Sequence, residues 1–266
     1  MRKLTLLLLV AGCTASGPAQ APVVLATTTS FQDSGLLEVL VSRFRAEGGP
    51  SVKAIAVGTG EALAMGKRGD VDVLVVHAPK AEEEFMAQGF GRERKALWHN
   101  DFVIVGPKSD PAGIRGGKLA TVALKKIATG GASFASRGDN SGTHKKEQEL
   151  LAIAGFDKWP QPLVTGQGMG ETLRIANEKQ AYTLTDRGTW LATKATLQLE
   201  VLLEGDPPLS NPYHVIEVDP AKLSKVNADG AHRFAQFLVS QQTQRLVADY
   251  GKDKYGQPLF FPDAVP

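Results

Sequence analysis

Short apolar runs alternate with helix-spaced apolar positions along the chain, and clusters of small or hydroxyl residues separate the two rhythms. Val23–Ala26 predicts a strand that ends at Thr27-Thr28-Thr29-Ser30. Leu36, Leu37, Leu40, Val41 and Phe44 then mark one face of a helix that stops near Gly48-Gly49-Pro50. Val52–Val57 predicts a second strand, running into Gly58-Thr59-Gly60 and a short helix from Glu61. Val71–Val76 reads as a buried parallel strand, Ala81–Gln88 as a charged surface helix, and Asp101–Val105 as another buried strand stopped by Gly106-Pro107.

The texture changes after Pro107. Lys108–Gly117 is a polar, turn-rich loop and Leu119–Thr129 a modest helix. A strand-like Ala132–Ala135 feeds Ser136–Glu147 (SRGDNSGTHKKE), which opens a helix reaching about Ala154. Leu163–Thr165 is a short strand followed by a turn at Gly166–Gly170 and a helix from Glu171. The chain crosses between lobes near residues 105–107. Ala181–Thr185, Glu200–Leu203 and Tyr213–Val218 read as strands, the last as the return crossing. Ala231–Val247 reads as one long helix, and Gly251–Phe261 as an irregular aromatic tail packed on the surface.

The first residues differ from all of this. Met1-Arg2-Lys3 is basic and Leu4–Ala11 apolar but too short for a permanent span, as in an export signal. Val10-Ala11-Gly12-Cys13 resembles a bacterial lipobox, in which Cys13 becomes the lipidated first residue. A plain signal cut near Ala21 would instead discard it. Both readings export the protein, to the periplasm or the outer face of the cytoplasmic membrane. Residues 14–22 form a small, polar tether. Cys13 is the sole cysteine, so no intramolecular disulfide exists. Removing Arg2 and Lys3 leaves 28 basic against 28 acidic residues, a neutral body. That balance argues against nucleic acid or an acidic membrane as the main partner, so any anion site is local.

Such a local site has three candidate seats. Each is a loop at the carboxyl end of a strand that opens a helix, where unpaired N–H groups and the positive end of the dipole meet an anion. Four hydroxyl residues fill the first (Thr27–Ser30) and Gly58-Thr59-Gly60 the second. The third carries Arg137, Ser141, Gly142 and Thr143, with a planar guanidinium suited to oxyanions. Gly168-Met169-Gly170 is either a fourth backbone wall or an ordinary turn. Asp186 and Arg187 read as a structural ion pair or an interlobe latch. Asp139 decides selectivity: aimed at the ligand it would accept the proton of phosphate, whereas as a loop cap it would leave a donor-only shell.

These segments resemble, in order, the Tup-type tungstate-binding periplasmic receptors of ABC transporters. The likeness rests on Thr27–Ser30 with Asp33–Leu37, Val57–Gly60, Ser136–Glu147, Gly166–Gly170, Ala181–Thr189, Asn211–Tyr213 and Lys254–Leu259, and spans about residues 23–263. The Ser-Gly-Thr portion is also similar to phosphate receptors. The resemblance implies an α/β, two-lobed periplasmic-binding-protein fold of type II, each lobe a mostly parallel sheet flanked by helices, with the ligand cleft between lobes. The lobes would be residues 23–105 with 208–266, and residues 106–207, behind a leader and tether at 1–22. It implies oxyanion contacts from Thr28, Thr29, Ser30, Thr59, Arg137, Ser141, Gly142 and Thr143. It also implies tungstate or molybdate as ligand, a permease and its ATPase as partners, a monomer, no cofactor and no catalysis.

Other classes find less support in the residues. Ser141 and His144 lie three apart at a helix start, which does not by itself aim an imidazole at a nucleophile, and no G-x-S-x-G elbow occurs. His77, His99, His144, His214 and His232 are scattered without H-x-x-x-H spacing and read as surface or packing residues rather than metal ligands.

Overall fold

The computed structural model describes residues 20–264; the leader and Cys13 lie outside them. The chain opens with β1 (Val23–Thr28), α1 (Thr29–Asp33), α2 (Leu36–Ala46), β2 (Val52–Val57), α3 (Thr59–Arg68), β3 (Val73–Val76) and α4 (Pro79–Ala87). The β2-β1-β3 ladder is parallel, with Leu25 opposite both Ala54 and Val73. Right-handed crossover helices are the ordinary way to join such strands, and they place every β-to-α loop on one edge of the sheet.

The strand that follows, β4 (Gly91–Pro107), holds the two halves together. Its first part pairs antiparallel with β9 (Ser210–Val218), from Gly91–Val218 to Asp101–Ser210. Its last part pairs with β7 (Thr183–Asp186) and β8 (Leu199–Leu203). Between them come α5 (Ala120–Thr129), β5 (Phe134–Ser136), α6 (Gly142–Ile153), β6 (Pro162–Val164), α7 (Met169–Lys179) and, after β7, α8 (Arg187–Thr193). In the second half β5 pairs parallel with β6. The chain ends with α9 (Ala228–Val239), α10 (Gln241–Asp249), α11 (Lys252–Tyr255) and β10 (Phe261–Pro262), which pairs with β4 at His99 and Trp98.

Four expectations are corrected here. The strand read as Asp101–Val105 begins at Gly91, because Arg94 finds Glu82 and Lys95 finds Glu93; paired charges let a charged segment join a sheet. The partner change falls between Asp101 and Phe102, earlier than residues 105–107. Phe102 and Ile104 accordingly pack in the second half's core with Leu124, Phe134 and Tyr182. The helix read as Ala231–Val247 breaks at Ser240, whose ψ of 146° is extended and whose hydroxyl caps α10 by accepting from the Thr243 N–H. The aromatic tail is superficial only in part: Lys252–Lys254 and Phe261 are exposed, but Leu259 and Phe260 turn inward. Leu259 and Phe260 are fully buried, and Phe260 sits edge-on to Phe31 and Tyr213 at 5.9 and 5.5 Å.

One apolar cluster runs through both halves. Val23, Leu25 and Phe31 of the first share it with Met169, Leu173, Trp190 and Val105 of the second. The halves thus pack against each other across the loop edges rather than standing apart.

Candidate functional site

The first seat begins with Thr27, whose hydroxyl donates to the Val75 carbonyl at 2.8 Å and so belongs to the sheet. Thr28 caps α1, its Oγ1 accepting from the Phe31 N–H at 3.3 Å. Thr29 and Ser30 lie within that short helix instead of a loop. Ser30 is buried, with Oγ 3.3 Å from Thr28 Oγ1. In the second seat Thr59 opens α3, and Gly58 before it supplies no side-chain cap. Thr59 is fully buried, yet its Oγ1 has no hydrogen-bond partner among the described residues.

The third seat is the turn between β5 and α6. Gly138 and Asn140 adopt left-handed backbone with φ of 62° and 59°, which reverses the chain tightly. Ser141 caps α6 by accepting from the His144 N–H at 3.2 Å. Arg137 is only 2% exposed, an unusual place for a guanidinium. One amino group donates to Asp139, while Nε has no partner among the described residues. Thr143 is buried with an equally unpartnered Oγ1. Buried polar groups are nearly always satisfied, so these three orphaned donors, at the start of α3, in the first turn of α6 and on the turn before it, stand out.

The halves meet across these seats. A Cβ built at Gly58 would lie 3.4 Å from the Ser141 Cα, and one at Gly60 would lie 2.5 Å from Asn140 Nδ2. A Cβ at Gly142 would lie 2.6 Å from His77 Cε1. Only glycine permits that approach. The turn before α7 joins the same junction. Gly168 faces Thr29, and the Gly170 N–H donates to Asp33 at 3.4 Å. Burial pushes the Asp33 carboxyl up, against that hydrogen bond and the charge of Arg137.

Asp139 faces its own loop. Its Oδ1 accepts from the Ser141 N–H at 3.1 Å and its Oδ2 from Arg137. Burial opposes its charge, but the Ser141 hydrogen bonds and the guanidinium outweigh burial and hold its carboxyl below the ordinary value. Beneath the loop, Glu147 accepts from Ser136 Oγ at 2.6 Å and Trp159 Nε1 at 2.9 Å. Burial raises its pKa to about 7.

The pair read as Asp186–Arg187 does not form. Arg187 binds Asp101 through two bonds of 2.6 Å and reaches Glu204, so it ties β4 to the second half. Asp186 is buried, caps α8 and accepts from both the N–H and the hydroxyl of Thr189, and burial raises its pKa to about 6. The Ser141–His144 spacing gives no nucleophile–base pair either. Ser141 Oγ is a helix cap, and His144 Nδ1 accepts from the Asn140 N–H at 3.0 Å.

Sequence reasoning placed His77 among surface or packing histidines. It is buried at the junction, stacked on Tyr213 with centroids 4.6 Å apart and bonded to Asn211 and Ser30. Asn100 continues this polar row, accepting from Asn211 Nδ2 at 2.6 Å. An available signal was the position of His77 at the end of an apolar strand, the same slot the other seats occupy.

Comparison with known proteins fits this geometry. A family model described as a PBP superfamily domain matches residues 14–242. The tungstate-binding protein TupA of Peptoclostridium acidaminophilum is 48% identical over 250 residues, covering 93% of this chain and 87% of that protein. The crystal structure of the tungstate ABC transporter from Geobacter sulfurreducens superimposes with a TM-score of 0.79 at 48% identity, over 88% of this chain and 100% of that one. The tungstate-binding protein TupA from Desulfovibrio alaskensis G20 gives 0.77 at 44% identity, over 92% and 100%. Fold and relatives converge: this chain belongs to the PBP superfamily and, within it, to the family of the TupA tungstate-binding proteins.

Proposed function

We propose that this protein is an extracytoplasmic receptor that captures tungstate, and molybdate as its near-isostere, and delivers it to an ABC importer. The observation that carries the reading is three of the orphaned buried donors, Thr59 Oγ1, Thr143 Oγ1 and Arg137 Nε, at or just before helix starts in both halves. Thr28, Thr29, Ser30, Ser141 and Gly142 complete the shell as hydroxyl and backbone donors. A doubly charged oxyanion is the partner that such a set accepts without further acceptors. The two halves hold it jointly, so binding favours their closed arrangement.

Asp139 supports the donor-only alternative. A hydrogen phosphate needs an acceptor for its proton, and this carboxylate is occupied by Arg137 and Ser141. Tungstate and molybdate carry no proton near neutral pH and need none. The relatives' tungstate-binding names point the same way. Each hydrogen bond to a charged group contributes roughly 1.5–3 kcal/mol, so a shell of this kind sustains tight binding after ordering costs.

The importer's permease and ATPase are the proposed partners, and the receptor would act as a monomer. Among the described residues no helix is long and apolar enough to cross a membrane. Attachment through a lipid on Cys13 is the proposed link to the membrane. The test of the reading is a panel of tungstate, molybdate, sulfate, phosphate and chromate against the dialysed protein by thermal shift and calorimetry. Tungstate and molybdate are expected to raise the melting temperature strongly and phosphate weakly. Phosphate binding tightest, or no anion binding, would refute it.

A further inference from the structure

In this fold the Ser30 hydroxyl faces another side chain as well as the junction. Its Oγ lies 3.4 Å from His77 Nε2. The tautomer of His77 follows from its other neighbours. Asn211 Nδ2 donates to Asn100 Oδ1 at 2.6 Å, which leaves Asn211 Oδ1 facing the imidazole, and Nδ1 meets that oxygen at 2.7 Å. Nδ1 therefore carries a hydrogen, and in the neutral ring Nε2 must accept one. Ser30 is the hydroxyl bonded to Nε2 among the described residues. A serine has one hydroxyl hydrogen, so it cannot serve His77 and an oxyanion at once.

The ring is sealed in. Tyr213 stacks on it, Phe102 lies 6.3 Å away, and Gly142 closes over it from the other half. Once Ser30 turns to an anion, a neutral Nε2 is left buried without a donor, which is costly.

We propose that His77 is a proton-accepting positioning residue, and that capture of the oxyanion is coupled to uptake of one proton at Nε2. The Ser30 O–H turns to the anion, and the new N–H donates to Ser30 Oγ in its place. One N–H bond forms, the solvent buffer acid gives up that proton, and no other covalent bond changes. This rests on the oxyanion-receptor reading. The charged groups that act on the ring are Glu82 of α4, which favours the imidazolium, and Arg137 of the β5–α6 loop, which opposes it. Asn211, Tyr213, Ser30, Phe102 and Gly142 face it without charge. A bound dianion beside Arg137 offsets the guanidinium and tips the ring toward its charged form. Burial holds the pKa of the ligand-free ring to about 4, so near neutral pH the proton arrives only with the anion.

Calorimetry of sodium tungstate binding near neutral pH, in buffers of different ionisation enthalpy, reads this directly. Tungstate carries no proton there, so uptake belongs to the protein. The expected result is a heat that depends on the buffer, with a slope approaching one proton taken up per anion. His77→Gln, whose amide donates to Ser30 without titrating, is expected to bind tungstate and lose that slope. Wild-type heat independent of buffer overturns the proposal and leaves the receptor reading standing. A slope that persists in His77→Gln also overturns it, since the proton then goes to Glu147, Asp186 or another group. Absence of any tungstate binding removes the receptor reading itself. If His77→Gln does not fold, the imidazole nitrogen shifts of the wild-type complex decide: two protonated ring nitrogens support the proposal, and a ring with either nitrogen unprotonated refutes it.

Discussion

Replacing Arg137 by alanine tests the centre of the site. The guanidinium is buried, its Nε lacks a protein partner, and one amino group is committed to Asp139. The substitution removes at least one charge-assisted bond to the oxyanion, about 1.5–3 kcal/mol. At about 1.4 kcal/mol per factor of ten, that alone weakens binding roughly 10- to 100-fold. A second effect adds to it: Asp139 loses its counter-charge and becomes a bare carboxylate beside a dianion. Arg137→Ala is therefore expected to weaken tungstate binding by about 100-fold or more, and Arg137→Ala with Asp139→Asn to recover part of the loss. Arg137→Lys keeps the charge but loses the planar fork, and should fall between wild type and alanine. Competition calorimetry gives the affinities, and circular dichroism controls for folding. Because Asp139 remains about 20% exposed, solvent limits the stability cost to less than the ~3–5 kcal/mol of a fully buried broken pair. Unchanged affinity in Arg137→Ala would take the guanidinium out of the site. A double variant no tighter than the single one would refute the repulsion from Asp139.

Thr59→Val and Thr143→Val remove hydroxyls that have no protein partner among the described residues, so each is expected to weaken tungstate binding about tenfold while leaving the ligand-free melting temperature nearly unchanged; a large loss of stability with intact affinity would contradict the assignment. Gly142→Ala places a methyl 2.6 Å from His77 Cε1 and should reduce affinity by hindering closure, with scattering of the tungstate complex showing a more open molecule than wild type. Glu147 keeps its proton to about pH 7 in the folded state against 4.5 for the ordinary carboxyl. Between those values the native state binds more protons than the unfolded one, so this group makes stability fall as pH rises, by about 3 kcal/mol across the window. Depression of the His77 pKa acts with the opposite sign between about 4 and 6.5. Asp186, raised to about 6, acts in the same direction as Glu147 and roughly offsets His77. In denaturation experiments wild type should therefore lose stability as pH rises from about 4.5 to 7, and Glu147→Gln should show a nearly flat profile.

The three seats were legible in the chain because each depends on local physics. An apolar run ending in hydroxyls or glycines, followed by helix-spaced apolar residues, makes a strand, a loop and a helix start whatever lies elsewhere. Ser141 caps its helix and Thr28 caps α1 for that reason. Tertiary structure alone decided what depends on partners distant in sequence. The charged start of β4 became a strand because Glu82 and the length of β9 lay beside it. Phe260 went inside because Phe31, Trp98 and Tyr213 left a space its ring fills. Arg187 chose Asp101 over its neighbour Asp186, whose carboxylate was already taken by Thr189. His77 gained its place from Asn211, 134 residues away, and from a glycine on the opposite half. Local sequence sets where backbone donors are exposed; only the folding of remote segments onto one another decides which of them converge, which are desolvated and which remain without a partner.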